Sequence, residues 1–318
     1  MFQKRNLSAT EQPREKPASV VVVTFKPSEI RSTDVRTISG RSVLLFASTL
    51  VLCGLTLFVL LSADAFSSSS PHENEDNWNL VFHDSFNTGA LEDGHWTTCY
   101  WWALHGCTNL GNNELQWYQS DNVQVSDGTL TLEGRIQDID AIEGHFSYTS
   151  GMITTGRIKS EEETVDRFSF KYGYIEVRAK APSGAGMWPA IWLLPSNLTS
   201  TPEIDVMELL GHKSNQLELH YHYRVDGKKK SIGFDTIVDD LSLDWHTYAV
   251  DWSPQSIIWY LDGKEQWRLD DSSIISNEEM YLLINLAIGG DWPGPPTEET
   301  KFPAQLLVDH VKIWQRKQ

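Results

Sequence analysis

Residues 203–208 read EIDVME, so the three carboxylates of Glu203, Asp205 and Glu208 stand close together in the chain. Alternate side chains of a strand point to opposite faces, so Glu203 and Asp205 share one face and Glu208 points away. One extra residue in a β-bulge would return Glu208 to the acidic face, and bulges often re-aim side chains beside active sites. Such carboxylates raise one another's pKa values. An ionised and a protonated carboxyl group about 5–5.5 Å apart is the arrangement that cleaves glycosidic bonds with retention.

An acidic edge strand with its charges in solvent would have the same sequence, so the neighbouring residues matter. Just upstream, residues 184–195 (GAGMWPAIWLLP) join a glycine-rich turn to Trp188 and Trp192. The chain has 13 Trp, and each offers a flat apolar face with one N–H donor, which suits a hexose ring. A large β core also uses aromatic residues, and either role fits any single Trp. The combination favours a sugar-cleaving site.

Short alternating runs between turn residues follow one another from residue 78 onward. Examples are TLTLEGRI (129–136), YGYIEVRAKA (172–181), WHTYAVDW (245–252) and SIIWYLDG (256–263), and turn pairs stand at 127–128, 262–263 and 289–290. No segment of the body keeps a helical apolar period beyond one or two turns. The pattern predicts one all-β sandwich or jelly roll over residues 78–318, with no second domain boundary.

A series of motifs in this body resembles glycoside hydrolase family sixteen, and within it the laminarinase-like β-1,3-glucanases. The resemblance runs from about residue 80 to residue 315 and rests on NNELQWY, YTSG, YGYIEVRAK, GMWPAIWLLP, EIDVME, YAVDWSP, IIWYLDG, INLAIGGDWPG and VDHVKIW, in that order. It implies a concanavalin A-like jelly-roll sandwich of two antiparallel sheets. It also implies retaining endo-hydrolysis of β-1,3 linkages in laminarin-type β-glucan, by double displacement through a covalent glycosyl-enzyme.

The resemblance also assigns roles to the acidic segment. Glu203 corresponds to the nucleophile and Glu208 to the general acid and base, while Asp205 between them sets the protonation of the pair. A different polysaccharide hydrolase on the same scaffold, acting on mixed-linkage glucan or galactan, stays an alternative, as does a transglycosylase. A non-catalytic glucan-binding protein is disfavoured because all three acidic residues are present.

Further residues match family positions that line the cleft. Trp188 and Trp192 correspond to aromatics that contact sugar on the glycone side, and Asn112 and Glu114 to a polar segment of the cleft. Trp292 stands in a loop near the cleft. Core packing, loop structure or turn packing would explain the same residues. The segment 99–110 is longer and more aromatic than the family pattern, and we expect it to add a wall to the cleft.

Metal binding is a weaker expectation. His220 and His222 alternate on one strand face, but no third ligand stands near them in sequence, which disfavours a metal pair. The family role of His220, a polar neighbour of the carboxylates, is preferred. Asp309 matches an aspartate that binds a structural calcium in some members, although a solvated Asp at a strand start fits too. No cofactor is expected for catalysis.

The first 77 residues carry signals for where the protein is placed in the cell. Residues 42–61 carry no charge and are long enough to span a bilayer, whose hydrocarbon core is about 30 Å thick. Arg31, Arg36 and Arg41 precede this run, so the positive-inside rule predicts a single-pass type II protein with its body extracellular or luminal. We therefore expect a disordered cytosolic tail (1–41), a transmembrane signal-anchor helix (42–65) and a stalk (66–77). Secretion after cleavage near Ala65 is the alternative.

Charge and cysteines agree with an exported, sugar-directed body. Residues 42–318 contain 18 Lys and Arg against 39 Asp and Glu, an acidity that excludes nucleic acid as a partner. The expected partners are a β-glucan and the membrane, and the protein is expected to be monomeric. Cys99 and Cys107 are positioned to close a disulfide loop in an oxidising compartment, with two buried thiols as the alternative. Asn197 begins a glycosylation sequon.

Overall fold

The computed structural model describes residues 77–92, 94–102, 108–157 and 166–317. The predicted tail and anchor, and the stalk up to residue 76, lie outside these residues. Within the described ranges, no helix has the length and apolarity needed to cross a bilayer.

Sixteen strands and three short 3-10 helices make up the regular structure of the described residues. The 3-10 helices are Leu110–Asn112, Ser120–Asn122 and Gly211–Lys213. The strands are β1 (Trp78–Asp84), β2 (Gln116–Tyr118), β3 (Val123–Ser126), β4 (Thr129–Ala141), β5 (Gly144–Ser150), β6 (Met152–Thr154), β7 (Gly173–Lys180), β8 (Met187–Pro195), β9 (Glu203–Glu208), β10 (Gln216–Val225), β11 (Lys228–Ile237), β12 (His246–Trp252), β13 (Ile257–Leu261), β14 (Lys264–Leu269), β15 (Met280–Ile288) and β16 (Ala304–Arg316).

The strands form two sheets. The larger has ten strands in the order β14-β13-β12-β7-β16-β4-β5-β2, with β1 beside β16 and β3 beside β4. The smaller has six in the order β11-β10-β9-β8-β15-β6. Pairing between named strands is antiparallel except between β2 and β5, which run parallel. The expected all-β, jelly-roll-like architecture is therefore confirmed.

Tight Asp-Gly turns set the register of several hairpins. Asp127-Gly128 joins β3 to β4 and Asp262-Gly263 joins β13 to β14, and both residues of each pair have positive φ. Positive φ at both central residues is the type I′ geometry that suits the right-handed twist of paired strands. A third such turn, Asp226-Gly227, joins β10 to β11 and aligns Val225 with Lys228.

One apolar core gathers the inward side chains of both sheets. Strands β8 and β10 alternate, with Ile191, Leu193, Leu217 and Leu219 fully buried in this core. The residues between them point to the other face of the smaller sheet. Strand β15 is buried along its whole length. The smaller sheet thus has one apolar face for the core and one polar, aromatic face on which a site can be built.

Candidate active site

The predicted bulge is present in β9. The neighbouring strand β8 aligns its consecutive residues Ile191 and Trp192 with Met207 and Asp205, so Val206 is an extra residue. The register with β10 shifts over the same stretch. Val206 and Met207 are both buried in the core. The extra residue therefore returns Glu208 to the face that carries Glu203.

Three carboxylates and two imidazoles consequently meet on that face. The ligand-type atoms of Glu203, Asp205 and His222 lie within 4.8 Å of one another, and so do those of Asp205, Glu208 and His220. The exposed fractions of the carboxylate side chains are 18% for Glu203, 3% for Asp205 and 11% for Glu208. Asp205 is the buried centre, and the two Glu side chains border the solvent.

Glu208 is held by both of its oxygens. Trp188 Nε1 donates to Oε1 at 3.1 Å, and His220 Nδ1 lies 2.9 Å from Oε2. Burial lowers the pKa of His220, but its hydrogen bond to Glu208 and the negative charge of Glu208 outweigh burial, so that the pKa is raised overall. The two contacts fix the direction in which Glu208 faces the cleft.

Asp205 is held from behind through its main chain. The buried indole of Trp259 donates from Nε1 to the Asp205 carbonyl oxygen at 2.8 Å. In front, His222 Nε2 lies 3.2 Å from Asp205 Oδ2. That oxygen nevertheless has no hydrogen bond of acceptable geometry, so the contact is one of proximity. Burial lowers the pKa of His222, which favours its neutral form at neutral pH.

Burial and mutual repulsion keep this cluster from ionising fully. Burial raises the pKa of Glu203 to about 7, and the charges of Asp205 and Glu208 add to the effect while His222 and Lys229 oppose it. Lys229 Nζ lies 3.4 Å from Glu203 Oε2. Burial and the Glu208 charge also raise the pKa of Asp205. At neutral pH the cluster therefore retains protons, as acid–base chemistry requires.

The carboxylates lie between two adjoining cavities. One of about 270 Å³ is lined by Trp192, Asn285 and Glu114 among others, and one of about 380 Å³ by His222 and Trp292 among others. Their shared lining residues are Asn112, Trp188, Glu203, Glu208 and Lys229. A chain-like ligand that crosses the sheet would occupy both cavities and pass directly over the carboxylates.

The predicted sugar-contacting residues line this cleft. Trp192 donates from Nε1 to Asn285 Oδ1 at 2.7 Å, which holds its ring at the edge of the smaller cavity. Trp188 borders both cavities. Trp292, 39% exposed, stands edge-on to Trp188 and to His220 on the opposite side. The aromatic residues thus flank the carboxylates on both sides.

Glu114 is a fourth carboxylate of the cleft, and it is buried. It accepts hydrogen bonds from Asn112 Nδ2 at 3.0 Å and Gln116 Nε2 at 2.7 Å. Burial raises its pKa to about 7, against the opposing effect of these bonds. From the segment 99–110, which was expected to add a wall, Tyr100 and Asn109 line the smaller cavity, and residues 103–107 lie outside the described residues.

The remaining predicted residues lie elsewhere. Asp309 lies 3.4 Å from the Arg178 guanidinium and 2.8 Å from His310 Nδ1. These neighbours do not form an acidic cage, and calcium stays a prediction that rests on Asp309 alone. Cys99 is disulfide-bonded, and its expected partner Cys107 lies outside the described residues. Asn197 is exposed between β8 and β9, so the sequon is accessible, and its glycosylation stays a prediction.

Sequence reasoning missed Lys229 and Asn285, and it set His222 aside. The Asp226-Gly227 turn was the available signal for Lys229, because a two-residue hairpin brings the start of β11 beside the end of β10. Asn285 is a single amide residue in an otherwise buried, mostly apolar strand, and that contrast was the available signal for it. No local pattern shows that His222 lies against Asp205.

Comparison with known proteins agrees with this geometry. The model of the glycosyl hydrolases family 16 matches residues 111–303. The endo-1,3-1,4-beta-glycanase EglC of Rhizobium meliloti (strain 1021) is 40% identical over 74% of this chain and 51% of its own length. The beta-glucanase of Rhodothermus marinus is 30% identical over 78% of this chain and 87% of its own. The chain thus spans about half the length of the first of these relatives.

The fold is also similar to that of solved structures. The laminarinase catalytic domain from Thermotoga maritima MSB8 superposes with a TM-score of 0.66 at 29% identity. The match covers 76% of this chain and 100% of the laminarinase domain.

The packing of His220 generates the first prediction. A Cβ at Gly233 on β11 would overlap the His220 ring and come 2.8 Å from its Nε2. We expect Gly233→Ala to displace the ring from Glu208. Because Glu208 raises the pKa of His220, that pKa should fall, which NMR titration of the His220 ring resonances would measure. Ser231→Ala, two residues earlier on the same strand, is the control; an unchanged titration in Gly233→Ala would contradict the assignment.

Proposed function

The chain belongs to the glycosyl hydrolases family 16, and we propose that it is a retaining endo-hydrolase of β-1,3-glucosidic linkages in laminarin-type β-glucan. The observation that carries the proposal is the bulged strand β9, which places Glu203 and Glu208 on one face, around the buried Asp205. The open cleft on both sides of the pair suits cleavage within a chain rather than at its end. The likeness to a laminarinase catalytic domain supports the choice of glucan.

The proposed mechanism uses each carboxyl group in one protonation state. Ionised Glu203 attacks the anomeric carbon while protonated Glu208 gives its proton to the leaving glycosidic oxygen, which leaves a covalent glycosyl-enzyme. Glu208, now ionised, removes a proton from water, whose oxygen displaces Glu203 from the anomeric carbon. Trp188 and His220 orient Glu208 through both steps. Asp205 keeps a negative charge or a shared proton beside Glu203. In this way it sets the pH at which Glu203 ionises.

A second candidate has a specific observation in its favour. EglC, which is named as an endo-1,3-1,4-beta-glycanase, is the more similar of the two relatives compared above. Hydrolysis of laminarin, mixed-linkage glucan, agarose and carrageenan side by side would separate the candidates. Release of new reducing ends would separate hydrolysis from glycosyl transfer, because transfer conserves their number.

The mechanism predicts large losses when either Glu is neutralised. Glu203→Gln removes the nucleophile and Glu208→Gln the acid, and each should lower kcat on laminarin by several orders of magnitude, since oriented acid–base catalysis alone contributes about 10²–10⁴-fold. Glu218→Gln is the matched control, because Glu218 lies opposite Glu208 in β10 without a proposed role.

The stereochemistry of the product gives an independent test of retention. Proton NMR of the first-formed reducing end should show the β-anomer, which later equilibrates with the α-anomer. An α-anomer appearing first would replace double displacement by inversion. Full activity of Glu203→Gln would remove the two-carboxylate mechanism altogether.

The environment of Glu203 predicts a pH profile. Because burial raises its pKa to about 7 and the nucleophile must be ionised, kcat/KM should fall as the pH drops through about 7. Lys229 lowers that pKa, so Lys229→Met should move the acidic limb to higher pH. The midpoint of the acidic limb should move by roughly 0.2–0.7 pH units, since an exposed ion pair is worth about 0.2–1 kcal/mol. Lys230→Met is the control, and a limb that moves to lower pH would contradict the assignment.

We also propose that residues 42–65 anchor the enzyme in a membrane with its catalytic body outside the cytosol. The support is the uncharged run and the arginines before it, since the positive-inside rule orients such a run. Alkaline carbonate extraction followed by protease protection should leave the body in the membrane fraction on the luminal or outer side. Recovery of a soluble product beginning near residue 66 would indicate secretion after cleavage instead.

A further inference from the structure

The two histidines of β10 acquire the metal ligands that they lack in sequence. In the folded chain the carboxylates of β9 lie across the strand boundary from them. His222 joins Glu203 and Asp205 in a group whose ligand-type atoms are all within 4.8 Å of one another. Two carboxylates and an imidazole from adjacent strands form a donor set typical of divalent transition metals.

A second observation points to a ligand at the same place. Asp205 Oδ2 is buried and has no hydrogen bond of acceptable geometry, although its side chain is only 3% exposed. Buried polar atoms are almost always satisfied, so the carboxylate oxygen that faces His222 is positioned to accept a further group.

We infer that Glu203, Asp205 and His222 bind a divalent transition metal of the zinc class, and that the bound ion inhibits the enzyme. Zinc takes three protein ligands and leaves a fourth position to water in open sites. The ion would occupy Glu203, the group assigned above as the nucleophile, so metal and glucan would exclude one another. The inhibitory half of this inference rests on the proposed function, whereas the binding half does not.

The geometry requires only small adjustments. Ligand atoms around a tetrahedral zinc with bonds of about 2.0–2.1 Å lie roughly 3.4 Å apart. Glu203 and His222 border the cavities, so their side chains have room to close on the buried Asp205. Lys229, 3.4 Å from Glu203, is a fixed positive charge that opposes a second cation. Its removal should therefore strengthen metal binding.

The test measures binding without any substrate. The full-length chain, purified without a histidine tag and kept in detergent, is titrated with Zn²⁺ by calorimetry, and with Co²⁺ followed by visible absorption. We expect one site per chain and the absorption bands of a cobalt site with nitrogen and oxygen ligands. His222→Asn should weaken binding by roughly 10- to 100-fold or more. Lys229→Met should tighten it roughly 1.5- to 5-fold. His212→Asn, exposed in the 3-10 turn Gly211–Lys213, is the matched control.

Inhibition is measured separately, so that the two halves fail independently. Zn²⁺ should inhibit laminarin hydrolysis competitively, and laminarin oligosaccharides should reduce Co²⁺ binding. Stoichiometric binding that depends on His222 in a chain without glucanase activity would uphold the site and overturn the proposed function. Binding that His222→Asn leaves unchanged, with thermal melting showing that variant folded, would place the metal elsewhere. Absence of binding, or weaker binding in Lys229→Met, would overturn the site.

Discussion

The extra residue Val206 in β9 is the constraint on which the site depends. Without it, Glu208 would point into the apolar core, and Met207 would point into the cleft. The bulge is held by the buried Trp259, which donates to the Asp205 carbonyl. That bond satisfies a backbone acceptor beside the irregular pairing, where a ladder is most easily left incomplete. A residue of the larger sheet thus fixes the geometry of a site on the smaller one.

The bulge also brings three carboxylates close together, and the surrounding residues partly offset their mutual repulsion. Three carboxylates on a partly dry surface repel one another, and each loses hydration. Hydrogen-bond donors and a positive charge offset this cost at two of the three carboxylates. Trp188 and His220 contact Glu208, and Lys229 lies beside Glu203. Asp205 is the most buried of the three, and burial together with the charge of Glu208 raises its pKa. The cluster is therefore neither fully ionised nor fully neutral near neutral pH, which a nucleophile and an acid side by side require.

The amino-acid sequence was sufficient to predict those features of the fold and site that depend on short local patterns. Strand alternation and Asp-Gly turns predicted the all-β body, and the offset of Glu208 predicted the bulge, which the register confirms. The sequence did not predict contacts between residues of different strands, because these depend on the order of the strands in the sheet. Lys229 reaches Glu203 only because β11 follows β10 through a two-residue turn and β10 pairs with β9. His222 lacked a third ligand in sequence because its ligands stand nearly twenty residues earlier and meet it across the sheet.

The same unsatisfied oxygen explains why catalysis and metal binding compete at one place. Asp205 Oδ2 lies buried without a hydrogen bond between the two Glu side chains proposed for catalysis and the imidazole of His222. A carboxylate in that state attracts any cation that can also engage His222. Lys229 moderates both effects, since its charge eases ionisation of Glu203 and repels an incoming ion. A stronger counter-charge would suppress metal binding but would also remove the repulsion that keeps the carboxyl groups in different protonation states. A half-exposed lysine at 3.4 Å lies between these limits.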